Sequence, residues 1–266
     1  MGGFRHFLLS FGVLASIALH PVEVVQAQAP SAQAVITAAR EALGGEKRLS
    51  AVTSFTATGR TRQVRGNNLV PIEFEINCEL PDRFVRKDEI PAQDTDASVT
   101  GFSGDQLILF PSPPGRAGGP PPQAAAQQRL NGIRQDFARL MLGAFAASFP
   151  PFPLTLKYLA EGDAPEGKAD ILDVAGPANF SARLVVQRDT HLPVMLMWQA
   201  PAPGPPGAAP MPVEHRLYYA DFRDVNGAKW PFRIRHAVAG ETIEETTFDR
   251  VRINVKIDAR KFEVPK

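Results

Sequence analysis

Cysteine is almost missing from this chain of 266 residues: Cys78 is the only one. That excludes an internal disulfide framework and every zinc or iron–sulfur site built from several thiolates. Excess charge of one sign is missing too. Lysines and arginines number 29 against 28 aspartates and glutamates, a formal net charge of +1, so no electrostatic case for nucleic acid arises. Catalytic and metal-binding patterns are absent as well. His191, His215 and His236 show neither the His-x-His nor the His-Glu-x-x-His spacing that turns two imidazoles onto one metal. His215 follows Glu214 in a strand pattern, so those two side chains diverge and each histidine reads as an isolated surface or core residue. No Gly-x-Ser-x-Gly elbow exists for a serine nucleophile. Gly118-Gly119 lies in a proline-rich stretch and Gly44-Gly45 follows a helix instead of opening one, so neither cradles a phosphate. The remaining acid pairs are explained by structure: Asp221 and Asp224 bracket a turn, and Glu244 and Glu245 are strand neighbours facing opposite ways. These absences point to a protein that is not an enzyme and uses no metal or cofactor.

What is present is an ordinary globular composition, 44% hydrophobic and 21% charged, sufficient for a sizeable core. The first residues stand apart. Arg5 and His6 precede an apolar run from Phe7 to Leu19, and Val25-Gln26-Ala27 supplies a small-residue cleavage pattern. The run is shorter than the roughly 20 residues of a membrane-spanning helix. Residues 1–27 therefore read as an export signal cut after Ala27, and 28–266 as a single mature domain in the periplasm or beyond. No cysteine follows the run to carry an N-terminal lipid.

In the mature part, Ser31 caps a helix whose Val35, Ile36, Ala39 and Leu43 share a face and which ends at Gly44-Gly45. The period then changes to two. Strands are expected at 53–64, 69–80, 83–89, 97–102, 106–110, 154–160, 169–174, 180–188, 192–199, 213–223, 229–238 and 241–255, with Asn226-Gly227 and Gly240 as hairpin turns. The count expected for the sheet is about eleven. The clearest strand turns Ile72, Phe74, Ile76, Cys78 and Leu80 one way and Glu73, Glu75, Asn77 and Glu79 the other, which makes Cys78 a small core residue. Residues 111–122 and 200–212 are rich in proline and cannot form regular structure. Between the first of them and Pro150-Pro151, residues 123–147 read as a second helix. Its Leu130, Ile133, Phe137, Leu140, Met141, Ala144 and Phe145 recur at helical spacing, and Arg129, Arg134, Asp136 and Arg139 are assigned to its surface. Strands in hairpin order without intervening helices make the fold mainly β, an antiparallel sheet or barrel.

Two strands, Leu107 to Phe110 and Val194 to Trp198, are apolar on both faces and must be covered on both. The cover is either the 123–147 helix with a neighbouring loop, or a ligand in a cavity lined by Met195, Met197 and Trp198.

The run from Tyr219 through Asp221, Phe222, Arg223, Val225 and Gly227 to Pro231-Phe232 resembles a motif of the periplasmic lipoprotein-carrier superfamily, the LolA/LolB-like proteins. So do the strand ending Val251 to Asn254, the closing Ile257 to Phe262, and the opening Ala39 to Gly45 followed by Leu49. The resemblance covers both ends of the chain. It implies a half-open, strongly curved antiparallel sheet, an unclosed barrel, with helices as a lid over an apolar cavity for acyl chains of lipid or lipoprotein. The 123–147 helix is the lid candidate, presenting Phe137, Leu140, Met141 and Phe145. Ile72, Phe74, Ile76, Leu107 and Leu109 would line the sheet side. No residue here matches the arginine by which the carriers hold their lid. The alternative is a cell-envelope interaction module with the same fold, its cavity filled by its own side chains and its proline-rich loops docking partner proteins.

Overall fold

The computed structural model describes residues 30–91, 93, 96–111, 123–202 and 211–264. Residues 1–27, which the sequence reads as an export signal, and most of both proline-rich stretches lie outside them. Two helices open the described chain, α1 (Ala32–Ala42) and α2 (Glu46–Ser50). Ser31 caps α1 by accepting a hydrogen bond from the backbone N–H of Ala34 at 3.1 Å. The single turn of α2 was not expected; it starts directly after the positive-φ pair Gly44-Gly45.

Five strands follow: β1 (Ser54–Arg65), β2 (Asn68–Glu79), β3 (Arg83–Glu89), β4 (Ser98–Ser103) and β5 (Gln106–Phe110). After α3 (Gln123–Phe145) come seven more: β6 (Thr155–Ala164), β7 (Gly167–Gly176), β8 (Phe180–Gln187), β9 (Pro193–Ala202), β10 (Met211–Val225), β11 (Ala228–Val238) and β12 (Glu241–Ile253). A 3₁₀ turn, Ala259–Phe262, closes the described chain. All twelve strands form one antiparallel sheet in the order β5-β4-β3-β2-β1-β12-β11-β10-β9-β8-β7-β6. The chain thus runs outward to one edge, crosses on α3 to the other edge, and returns until β12 pairs with β1.

The sheet is strongly curved but not closed. In a flat sheet the eight strand spacings from β4 to β8 would span roughly 38 Å at about 4.8 Å each. Here three aromatic steps of 6.1, 5.8 and 5.7 Å, through Phe149 and Phe152, connect Phe102 on β4 to Phe180 on β8. The sheet wraps round α3, which packs against β4, β5, β9 and β11. The inner face carries the main core, including Phe55, Phe74, Ile76, Cys78, Phe84, Leu184, Leu196, Trp230 and Phe248. Cys78 is fully buried and its thiol is pushed well above its ordinary range by desolvation, so it is a packing residue.

The strands that are apolar on both faces are covered by protein on both. On β5, Leu107 packs into the main core, while Ile108 and Phe110 meet Val255, Ile257 and Phe262 of the C-terminal segment behind the sheet. On β9, Leu196 and Trp198 face the main core, while Met195 packs with Ala169 and Val185 on the outer face, beside Met197 and Tyr218.

Candidate functional site

A cavity of about 330 Å³ lies between α3 and the inner face of the sheet. Its apolar wall combines Ile133, Phe137 and Leu140 of α3 with Ile76, Phe84, Trp198, Leu217, Ile234 and Phe248 of the sheet. Its other wall is polar: Arg86, Thr100, Asp136, Arg139, His236, Glu244 and Thr246. At that wall it meets an open trough of about 410 Å³ that shares Arg86 and Glu244 and adds Gln63, Arg65, Asp88 and Ser98.

Strand alternation decides which candidates meet the cavity. Ile76, Phe137, Leu140 and Trp198 line it. Phe74, Met141 and Phe145 lie in the surrounding core, and Ile72 is buried beside the open trough. Leu107 and the half-buried Leu109 sit on edge strand β5 and do not line the cavity, although Leu109 pairs with Thr100, which does. Met195 and Met197 point to the outer face, because each is one or three residues from Trp198 in a two-residue period.

Helix α3 is fixed to the sheet at one point by tight packing. The Tyr219 hydroxyl donates to the backbone carbonyl of Arg139 at 2.8 Å. The tyrosine ring occupies the space beside Gly143, where a Cβ would come within 2.2 Å of Cε1. Burial pushes the titration of the Tyr219 hydroxyl well above its ordinary range, so it stays a neutral donor.

Two arginines that the helical pattern places on the surface are in fact tucked between α3 and the sheet. Arg134 reaches the carbonyl of Gly104 at 2.7 Å and Asp105 at 2.8 Å, with its guanidinium 5.7 Å from the Phe102 ring. Arg139 is held by Asp136 at 2.6 Å and lies 4.3 Å from Trp198 and 5.4 Å from Phe180. Aromatic faces accept a guanidinium's flat, weakly hydrated plane, which explains how α3 buries these charges. Desolvation lowers the Arg139 pKa, with Asp136 opposing the shift.

Beneath Trp198 the two histidines meet, contrary to the expectation that each stands alone. His215 Nδ1 and His236 Nε2 are 3.0 Å apart, and both rings stack on the indole at 5.1 and 5.4 Å. His236 is lowered to about 4 by burial first, then by His215 and Arg139. His215 is lowered by burial and by Arg139. The sequence did hold a signal for this pair. A two-residue turn at Asn226-Gly227 sets Val225 opposite Ala228, which carries His215 opposite Val238, two residues from His236.

Further along the same wall, Thr61 and Thr246 share a buried hydroxyl hydrogen bond of 2.8 Å, and Arg86 donates to Thr61 at 3.1 Å. Arg86 also binds Asp88 at 2.7 Å and lies 4.7 Å from the Phe74 ring. Gln63 donates to Glu244 at 3.1 Å. Among the described residues no group of three or more histidine, cysteine, aspartate or glutamate side chains is placed to hold a metal ion.

This arrangement, one curved sheet wrapped round a crossing helix, aligns with a solved LolA superfamily structure. A LolA superfamily protein from Nitrosomonas europaea aligns with 88% of this chain and 98% of its own at a TM-score of 0.56, with 14% identity. The chain has a LolA-like fold. A DUF1329 family protein from Desulfovibrio piger (TM-score 0.46, 9% identity, covering 87% of this chain and 96% of its own) and a candidate outer membrane lipoprotein-sorting domain from Vibrio parahaemolyticus (0.48, 8%, 85% and 95%) align more loosely and add no weight. No protein-family model and no curated protein sequence matches the chain.

Proposed function

We propose that this protein is an exported, non-enzymatic binder of acyl chains. It carries or senses them, as free lipid or as the lipid of a lipoprotein, in the cavity between α3 and the inner face of the sheet. The observation that carries this reading is the cavity's construction. One wall is continuous hydrocarbon and aromatic surface, and its roof is a single helix joining two sheet edges that are not paired to each other. Each methylene moved from water into such a wall contributes about 0.8 kcal/mol, so a chain alone supplies binding energy without any catalytic group. The resemblance to periplasmic lipoprotein carriers at both ends of the sequence, and the export signal read at residues 1–27, support a periplasmic setting.

The cavity's size favours a second reading. At about 330 Å³ it is at the small end of the roughly 300–1,000 Å³ of ligand pockets. A whole acyl chain therefore requires α3 to shift, and a protein whose helix never shifts is an envelope interaction module. Native mass spectrometry of the mature protein, purified gently from its own envelope fraction, separates the two. Carriage shows as an acyl-chain adduct that survives buffer exchange. A bare protein mass, repeated after incubation with oleate and with diacyl phospholipid, overturns carriage in favour of the module.

A further inference from the structure

The His215–His236 pair has no role in holding an acyl chain by apolar contact, yet it lies under the lid's most deeply inserted charge. The two rings share one hydrogen bond, with one nitrogen donating and the other accepting. That bond survives with no added proton or with one, and breaks when both rings are charged. Both rings stack on Trp198, and the same indole carries the Arg139 guanidinium of α3. Any positive charge gained by the pair is therefore placed against a fixed cation across one aromatic ring.

We propose that the His215–His236 pair is a proton-operated release for α3: protonation of the pair repels Arg139 and loosens the helix from the sheet. This rests on the reading of α3 as a lid, and it gives that lid a regulator. The charged groups around the pair define what competes. On α3, Arg139 opposes a proton and Asp136, its ion-pair partner, favours one. On β12, Glu244 stands opposite His236 in the strand register and favours a proton. Arg86 on β3 adds positive charge on the same cavity wall. Glu214 and Arg216, the neighbours of His215, form an ion pair on the outer face.

The sign follows from linkage. With the lid closed, His236 sits at about 4 against an ordinary 6.5, so protons bind the open form more tightly. Well above pH 6.5 neither form is charged and the lid stays closed. Opening is favoured as pH falls below that value, and the shift saturates below about 4. If the open ring regains its ordinary value, the open-to-closed ratio rises about 20-fold between pH 7 and pH 5.

Hydrogen exchange of the mature protein, corrected for intrinsic rates, tests this at pH 7 and pH 5. Peptides from α3 should show about 20-fold more opening at pH 5, while β1 and β2 keep their protection. In the double variant His215→Gln/His236→Gln the α3 rate should no longer depend on pH over this range. Unchanged α3 protection in the wild type overturns the proposal. So does a rise that persists in the double variant, which would place the titration at Asp136 or Glu244. Should the double variant fail to fold, long-range proton–nitrogen spectra of the wild-type rings decide instead: values well below 6.5 support the release, and an ordinary value for both rings overturns it. N-phenyl-1-naphthylamine binding, followed in parallel, keeps the two readings separate. A lid that loosens at pH 5 in a protein that never binds the probe sustains the release and removes the carrier.

Discussion

Followed along the strands, the inner face of the sheet is two different surfaces. At one end α3 lies on it, and the strands supply Phe55, Ala57, Phe84, Phe102, Trp230 and Phe248. Toward the other end the same strands turn polar: β1 continues to Thr61 and Gln63, β3 to Arg86 and Asp88, β11 to His236, and β12 to Thr246 and Glu244. The apolar half is closely packed, with Phe137 set against Phe84, Phe102 and Phe149 at 4.8, 5.6 and 4.7 Å. The polar half is held by hydrogen bonds between side chains, and it is open. Under the proposed acyl-chain reading, a face of this kind would give an amphipathic guest one direction of entry, chain first under α3 and polar part last in the trough.

The largest expected effect comes from breaking the apolar half. Phe137→Ala removes the ring at the centre of that cluster and should cost about 3–5 kcal/mol, seen as a large drop in the denaturant midpoint. Gly143→Ala should cost about 1–3 kcal/mol, because the new methyl meets the Tyr219 ring and α3 must lift. Combining Tyr219→Ala with Gly143→Ala should cost less than the sum of the two single changes, which a double-mutant cycle would measure.

Changes in the polar half should be milder and more specific. Thr61→Val strands the Thr246 hydroxyl and one donor of Arg86, for about 1–3 kcal/mol. Adding Thr246→Val removes the other member of the buried pair, so the double variant should be less destabilised than the sum of the two single changes. The smallest effect belongs outside both halves. Arg60 pairs with Asp249 on the outer face with both side chains well exposed, so Arg60→Ala should shift stability by no more than about 0.5 kcal/mol in urea unfolding.

The split between the two halves was hidden by the strand that was easiest to read. Alternation from Ile72 to Leu80 marked β2 as a strand with one apolar face, and the structure agrees. But β2 is the strand whose inner face stays apolar toward the polar end, where Ile72 is buried beside Arg86 and Asp88. Reading it alone gives a uniformly greasy wall. The reversal shows on β1, β3, β11 and β12, where short alternating runs mix with turn residues. Element order, the antiparallel topology and the crossing helix followed from hairpin signals and period. The twelfth strand was within the ranges expected, although the count was set at about eleven. Arg139 could not be placed from periodicity, and the histidine pair only from the register that the Asn226-Gly227 turn sets. A helical wheel assigns arginine to water, and only a partner ring on another strand, Trp198, reverses that. Met195 and Met197 show the opposite error, since grouping them with Trp198 overlooked that alternation puts them behind the sheet.

The most direct measurement is a titration with N-phenyl-1-naphthylamine at pH 7 of the wild type, Leu140→Glu and Leu159→Glu. Leu140 lines the cavity from α3, and Leu159 is exposed on edge strand β6. Thermal unfolding by circular dichroism serves as the control for folding. The expected result is saturable binding by the wild type and Leu159→Glu, weakened at least tenfold in a folded Leu140→Glu protein. Equal binding by all three, or none by the wild type at any lipid-like probe concentration short of aggregation, would contradict an acyl-chain site beneath α3.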